Sequence, residues 1–71
     1  MDVLALLTDA AATGDTVWIG YVDGFGQASE RLIEPIEVSG GLVDAYDHLR
    51  NDRRTFAVHR ITGAAVVDEP A

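Results

Sequence analysis

The spacing of the apolar residues changes at Gly14, and this change constrains the fold more than any other feature of the sequence. Before Gly14, Leu6 and Leu7 belong to an apolar set at helical spacing, and Asp2 is a candidate N-cap. This pattern predicts a helix over residues 3–13. After Gly14, apolar and polar residues alternate, as in half-buried β-strands. Because so short a helix is marginal alone, its apolar face must pack on those strands.

Turn sequences divide the alternating region into short strands. The turns are Asp23-Gly24-Phe25-Gly26, Ser39-Gly40-Gly41 and Thr62-Gly63. At Pro35 the second strand must end, bulge or run along an edge, because proline donates no ladder hydrogen bond. The predicted strands cover residues 16–23, 27–37, 42–47, 54–61 and 64–67. We therefore expect one mainly β domain over residues 1–71, a small five-stranded barrel with one short N-terminal α-helix.

Size and composition restrict how such a domain is stabilised. A chain of 71 residues without cysteine has a small core and no disulfide framework. Stability must come from a closed or well-covered sheet, or from the remainder of a longer protein. Apolar stretches fall short of the roughly 18 residues of a membrane span, and the N-terminus lacks the positive region of a signal peptide. We expect a cytoplasmic protein without membrane contact.

Charge is unevenly distributed along the chain. Twelve acidic and five basic residues give a net charge of −7, which repels a phosphate backbone at long range. All five basic residues are arginines, and four of them lie within one eleven-residue stretch. The four are Arg50, Arg53, Arg54 and Arg60. This clustering makes the stretch a candidate anion-binding segment.

Enzyme chemistry has little support in the sequence. There is no glycine-rich phosphate loop, no paired-histidine metal spacing and no Ser/His/Asp set. Asp44 and Asp47 are three residues apart in a predicted strand, which places the two carboxylates on opposite faces. The sequence predicts a protein that is not an enzyme and has no catalytic residue, metal or cofactor.

An ordered series of short motifs resembles the WYL domain over about residues 4–67. The motifs are Val17-Trp18-Ile19-Gly20-Tyr21, Ser29-Glu30-Arg31, Ile33-Glu34-Pro35, Ala45-Tyr46-Asp47 and Arg54-Thr55-Phe56-Ala57-Val58-His59-Arg60-Ile61. The nearest variant is the compact domain at the end of bacterial helicase-associated proteins, similar to the accessory region of excision-repair helicases. The Trp-Tyr-Leu triplet that names the family would fall at Gly41-Leu42-Val43, where neither aromatic is present.

The resemblance implies an SH3-type, Sm-like barrel that binds nucleic acid, often single-stranded, or a nucleotide-type ligand. Such a module regulates an attached DNA-binding or helicase region, which implies roles in transcription regulation or DNA repair. Ser29 and Arg31 match the family's Ser-x-Arg segment, and strand alternation puts them on one face with Ile33. A hydroxyl and a guanidinium on one face suit a phosphate. The alternative is that Arg31 pairs with one of the many acidic side chains on a solvated face.

The other candidates come from the arginine-rich region and the first strand. Arg54 opens the Arg-Thr-Phe segment, and His48 stands beside cations, an arrangement common around a bound anion. Arg50 is a looser candidate, for which a solvated loop surface is the alternative. Arg60 either contributes to the ligand site or pairs structurally with an acidic residue near the first turn. Tyr21 is expected in the core with its hydroxyl at the rim.

A protein-interaction module is the rival hypothesis. Trp18 alternates out of phase with the core positions of its strand, and we expect it to pack beneath the helix; exposed, it would be a contact residue. Phe25, in the middle of a glycine turn, is a candidate contact at a loop tip. With the acidic surface, these residues would bind other domains of the parent protein. A homo-oligomer formed through strand edges is the remaining possibility.

Overall fold

Five antiparallel strands follow one N-terminal helix, which confirms the predicted mainly β fold. The computed structural model describes residues 2–67. Helix α1 is Val3–Thr13, and the strands are β1 (Val17–Val22), β2 (Ala28–Ser39), β3 (Leu42–Asp47), β4 (Asp52–Ala57) and β5 (Ile61–Val66). They form one sheet in the order β4-β3-β2-β1-β5. Within the described residues, the helix is not long and apolar enough to cross a membrane.

The helix begins and ends where its capping residues predict. The Asp2 carboxylate accepts a hydrogen bond from the Ala5 amide at 2.7 Å, which satisfies a free donor of the first turn. Gly14 adopts a left-handed conformation with φ of 77°, and its amide donates to the Ala10 carbonyl at 2.8 Å. The helix buries Leu7 and Ala10 and packs against β2 and β5.

The register of the strands defines two faces. Val17 and Ile19 of β1 lie opposite Ile33 and Arg31 of β2, and Ile33 lies opposite Asp47 of β3. We call this the inner face, because the core is built on it. The core contains Leu7, Ala10, Val17, Ile19, Ile33, Val43, Ala45, Phe56 and Ile61. The opposite, outer face carries the intervening residues of each strand.

A bulge bends the longest strand. β2 has twelve residues, and its pairing with β3 shifts register between Pro35 and Glu37. The bulge lets the first half of β2 pair with β1 and the second half with β3 while the strand changes direction. Of the outcomes expected at Pro35, the structure contains the bulge.

The fourth strand is shorter than the alternation of residues predicted. β4 ends at Ala57, and a single 3-10 turn, Val58–Arg60, separates it from β5. The Val58 amide donates to the Gly41 carbonyl at 2.9 Å, and the Ala57 amide donates to the Tyr21 hydroxyl at 3.2 Å. The Val58–Gly41 bond continues the register of the β3–β4 ladder, and the Gly40–Gly41 turn then leaves β4 without a partner strand, so β4 does not continue to residue 61.

Trp18 does not pack beneath the helix, so that expectation was wrong. The helix contributes Leu7 and Ala10 to the core on the inner face, whereas Trp18 lies on the outer face opposite Leu32 and Ala65. Its exposed fraction is 40%. The alternation correctly separates Trp18 from the core, but the helix covers the other side of the sheet.

Candidate ligand-binding site

Arg31 is the central side chain of the candidate site. It lies on the inner face of β2, and its Nε donates to the Ser29 hydroxyl at 3.2 Å. Its Nη1 lies 3.5 Å from Oδ2 of Asp47. Ser29 and Arg31 meet because residues two apart on a strand project from the same face. The Arg31 side chain is 17% exposed, so the guanidinium is held in one orientation with part of its surface open.

Asp47 is the buried partner of Arg31, and sequence reasoning missed its role. It is the one buried charged or polar side chain within residues 2–67. Besides the contact with Arg31, its Oδ1 accepts hydrogen bonds from the amides of Leu49 at 3.0 Å and Arg50 at 3.3 Å. The available sequence signal was an aspartate ending a strand before a polar loop, which favours an Asx-turn. Asp47 therefore ties Arg31 to the β3–β4 loop.

Arg54 lies on the same face as Arg31. It is opposite Ala45, whereas Asp47 is opposite Asp52, so Arg54 is a diagonal neighbour of Asp47. Diagonal neighbours in a sheet are about 7–8 Å apart. Arg54 is exposed, and its side chain has no hydrogen bond or ion pair with any other residue in the range 2–67. The inner face thus carries two guanidinium groups, one anchored and one without a protein partner.

His48 is separated from this pair. Its ring meets that of Tyr46 edge to face with centroids 5.1 Å apart, and its Nε2 lies 4.0 Å from a carboxylate oxygen of Glu34. Glu34 and Tyr46 oppose each other on the outer face. Although the sequence groups His48 with the arginines, the structure does not bring it to Arg31. Arg50 stands exposed in the loop, joined to the site by its backbone amide.

Arg60 and Tyr21 make structural contacts. Arg60 Nη1 donates to the backbone carbonyl of Asp23 at 2.9 Å, which joins the 3-10 turn to the β1–β2 turn. The Tyr21 hydroxyl accepts the Ala57 amide, and its ring meets the Phe56 ring at 5.1 Å. Arg60 is thus held near the first turn, as the structural alternative expected, but by the backbone carbonyl of Asp23 and not by a carboxylate. Tyr21 packs against the core, as expected.

Arg53, next to Arg54, is engaged on the outer face. Its Nε donates to Oδ1 of Asp44 at 3.1 Å. The hydrogen bond from Arg53 holds the pKa of the Asp44 carboxyl below its ordinary value, with desolvation opposing it. Adjacent arginines of β4 therefore differ in state: Arg53 is paired and Arg54 is not.

We expect Arg53→Ala to raise the pKa of Asp44 toward its ordinary value, because the variant removes both a hydrogen bond and a positive charge. A lowered carboxyl pKa stabilises the fold above the ordinary value, and this contribution is lost as the pH falls through the folded-state value. The variant should therefore be less stable than the parent near neutral pH, with the difference vanishing in acid. NMR titration of the Asp44 carboxyl tests this, and an unchanged pKa would contradict it.

No metal centre is indicated: within residues 2–67 there is no group of three or more His, Cys, Asp or Glu side chains suited to a metal ion. All buried side-chain nitrogen and oxygen atoms there have hydrogen-bond partners. The N–H groups of Arg31 that lack a protein partner are therefore open to solvent. The arrangement can donate hydrogen bonds to an anion.

Comparison with known proteins gives a family and a structural relative. The WYL domain family model matches residues 2–66. Among solved structures, Proteasome accessory factor B/C (PafBC) of Arthrobacter aurescens superposes with a TM-score of 0.77 at 22% sequence identity. The match covers 87% of this chain and 10% of that chain, so the similar region is a small part of the larger protein. A search of curated proteins finds no match.

Proposed function

The chain belongs to the WYL domain family, and from this we propose that it is the ligand-sensing module of a larger DNA-binding or helicase protein. Its ligand carries phosphate, as single-stranded nucleic acid or as a nucleotide. Arg31 and Arg54 bind the phosphate oxygens, and Ser29 fixes the orientation of Arg31. The role is binding and regulation rather than catalysis.

The observation that carries the proposal is the fixed orientation of Arg31 on the face that also carries Arg54, whose side chain has no partner within residues 2–67. In the register of the sheet, the Asp47–Asp52 pair lies between the two arginines. A guanidinium presents several N–H donors in a plane, which match the oxygens of a phosphate. Because Ser29 and Asp47 already hold Arg31, little side-chain freedom is lost when a ligand binds. Arg54, exposed on the same face, supplies a positive charge that forms no ion pair with any side chain of the described residues.

The charges around the site favour short-range hydrogen bonding over long-range attraction. Asp47 offsets Arg31, and Asp52 lies beside Arg54 along the inner face. With a net charge of −7, the chain does not draw a polyanion from a distance. A phosphate must therefore gain its affinity from direct contacts. We expect modest affinity that rises when Asp52 is replaced by asparagine.

Asp47 provides a route from the ligand to the rest of the protein. The same carboxylate receives Arg31 through one oxygen and the amides of Leu49 and Arg50 through the other. A ligand that moves the Arg31 guanidinium alters its contact with Asp47, and Asp47 is the side chain that holds the β3–β4 loop. The loop is exposed, so an adjoining domain that contacts it can respond.

The test compares Arg54→Ala with Arg53→Ala in a titration of fluorescently labelled single-stranded DNA and RNA. One charge-assisted hydrogen bond contributes about 1.5–3 kcal/mol, which corresponds to roughly 10–100-fold in affinity. We expect this loss in Arg54→Ala and little change in Arg53→Ala. Each phosphate contact to a single strand also contributes about −0.7 to the slope of log K against log salt. That slope should be shallower by about this amount in Arg54→Ala only.

The neighbouring arginine is a matched control, because it has the same charge on the same strand but faces the other side of the sheet. Equal losses in both variants would mean that general charge, and not the inner face, determines binding. Binding of a mononucleotide with the same sensitivity to Arg54→Ala would identify the smaller ligand. No binding of any of these probes at low salt would reject the phosphate site.

A further inference from the structure

Strand β5 has an edge without charged residues or proline; a bulge near its start shifts its register with β1 between Gly20 and Tyr21, and residues 63–66 pair regularly beyond it. Within residues 2–67 it pairs with β1 alone, so its other edge presents unpaired backbone groups. Its sequence, Ile-Thr-Gly-Ala-Ala-Val, contains no charge and no proline. Edge strands are normally guarded by charged residues, proline or a covering element. β4, at the opposite edge of the sheet, has such protection in Asp52, Arg53 and Arg54.

An open groove lies beside this edge on the outer face. Its volume is about 260 Å³, and its walls are Trp18, Ile19, Gly20, Glu30, Gly63, Ala64 and Ala65. The groove is open because the residues of β1 and β5 that line it have small side chains. The ring of Trp18 forms its large apolar wall. Val66, at the end of β5, is also exposed. Side chains of a strand added to β5 would project toward this groove, since neighbouring strands share their faces.

From this juxtaposition we propose that the outer face at β5 binds an extended segment of another protein or domain. The segment adds as a strand to the β5 edge and places an apolar side chain in the Trp18 groove. Backbone hydrogen bonds provide affinity and the groove provides side-chain selection. The site is distinct from the inner-face phosphate site, because Trp18 and Arg31 belong to opposite faces of the sheet.

The negative charge of the chain indicates which kind of segment would bind at this edge. The chain carries a net charge of −7, and Glu30 is the charged residue among those that line the groove. A segment with lysine or arginine around its apolar residues is attracted to this surface, whereas a second copy of the chain brings an equal negative charge. We therefore assign the edge to a basic, apolar segment rather than to self-association.

The single tryptophan of the chain is located where it can report on binding. The probe is a short capped peptide of alternating isoleucine and threonine with lysine at both ends, followed by Trp18 fluorescence. One control peptide carries N-methyl groups on alternate amides, which blocks strand pairing, and another has glutamate in place of lysine. We expect saturable binding with a Kd of about 1 mM or lower, lost on N-methylation and at least tenfold weaker with glutamate.

Two lysine substitutions on exposed outer-face positions of the edge strands provide matched variants. Ala65→Lys adds a charge at the groove and should weaken peptide binding at least tenfold. Thr55→Lys adds the same charge on β4 and should leave binding unchanged, as should Arg54→Ala. Equal affinity for the N-methylated peptide, equal loss in both lysine variants, or no saturable signal would overturn the proposal. Sedimentation that shows self-association abolished by Ala65→Lys would overturn it in favour of a second copy.

Discussion

Replacing Asp47 with alanine is expected to destabilise the domain by about 3–5 kcal/mol, the cost of leaving one member of a buried ion pair without its partner. The variant removes a fully buried carboxylate, leaving the partly buried guanidinium of Arg31 without its counter-charge and freeing the amides of Leu49 and Arg50. Small domains have total stabilities of about 5–15 kcal/mol, so the loss is a large fraction of the whole. Urea denaturation followed by circular dichroism measures it.

Asp44→Ala is the matched control for this prediction. Asp44 is on the same strand and also pairs with an arginine, but its pair with Arg53 is on the outer face and accessible to water. Exposed pairs contribute little to stability. Asp47→Asn, which keeps an oxygen for the loop amides but removes the charge opposite Arg31, should have an intermediate effect. Equal destabilisation by Asp47→Ala and Asp44→Ala would show that Asp47 has no special role.

Most of the fold could be predicted because the sequence patterns that specify its helix and strands lie within a few residues of one another. The helix of residues 3–13 is specified by its apolar spacing, by Asp2 and by Gly14, all of which act within a few residues. The end of β4 could not be predicted in this way. β4 ends where the Gly40–Gly41 turn leaves it without a partner strand, and the last bond of the β3–β4 ladder joins Val58 to Gly41, seventeen residues earlier in the chain. A contact of that range leaves no trace in the spacing of apolar residues.

The same distinction applies to the candidate site. Ser29 and Arg31 could be paired from sequence because they are two residues apart on one strand, and their hydrogen bond follows from that spacing. The partnership of Arg31 with Asp47 spans sixteen residues and depends on the register of β2 and β3. His48 was grouped with the arginines by its position in the chain, yet it lies with Tyr46 on the other face. The sequence indicated which residue types could bind an anion, but it did not show which of these residues lie on the same face of the sheet.

Phe56→Ala is expected to destabilise the domain by about 3–5 kcal/mol through loss of apolar burial and creation of a cavity. Phe56 is 3% exposed and is the contribution of β4 to the core. Its ring meets that of Tyr21 at 5.1 Å in an edge-to-face arrangement, and the Tyr21 hydroxyl accepts the adjacent Ala57 amide. Because β4 is paired on one side only, this cluster is what fixes it to β1 across the core.

The two phenylalanines of the chain make this prediction a matched comparison, since Phe25 is 94% exposed at the tip of the β1–β2 turn. Phe25→Ala should change the free energy of unfolding by no more than about 0.5 kcal/mol. If Phe56→Ala does not fold, Phe56→Leu keeps most of the apolar volume and should give a smaller, measurable loss in the same urea experiment. Equal effects of Phe56→Ala and Phe25→Ala would contradict the assignment of Phe56 as the residue through which β4 packs on the core.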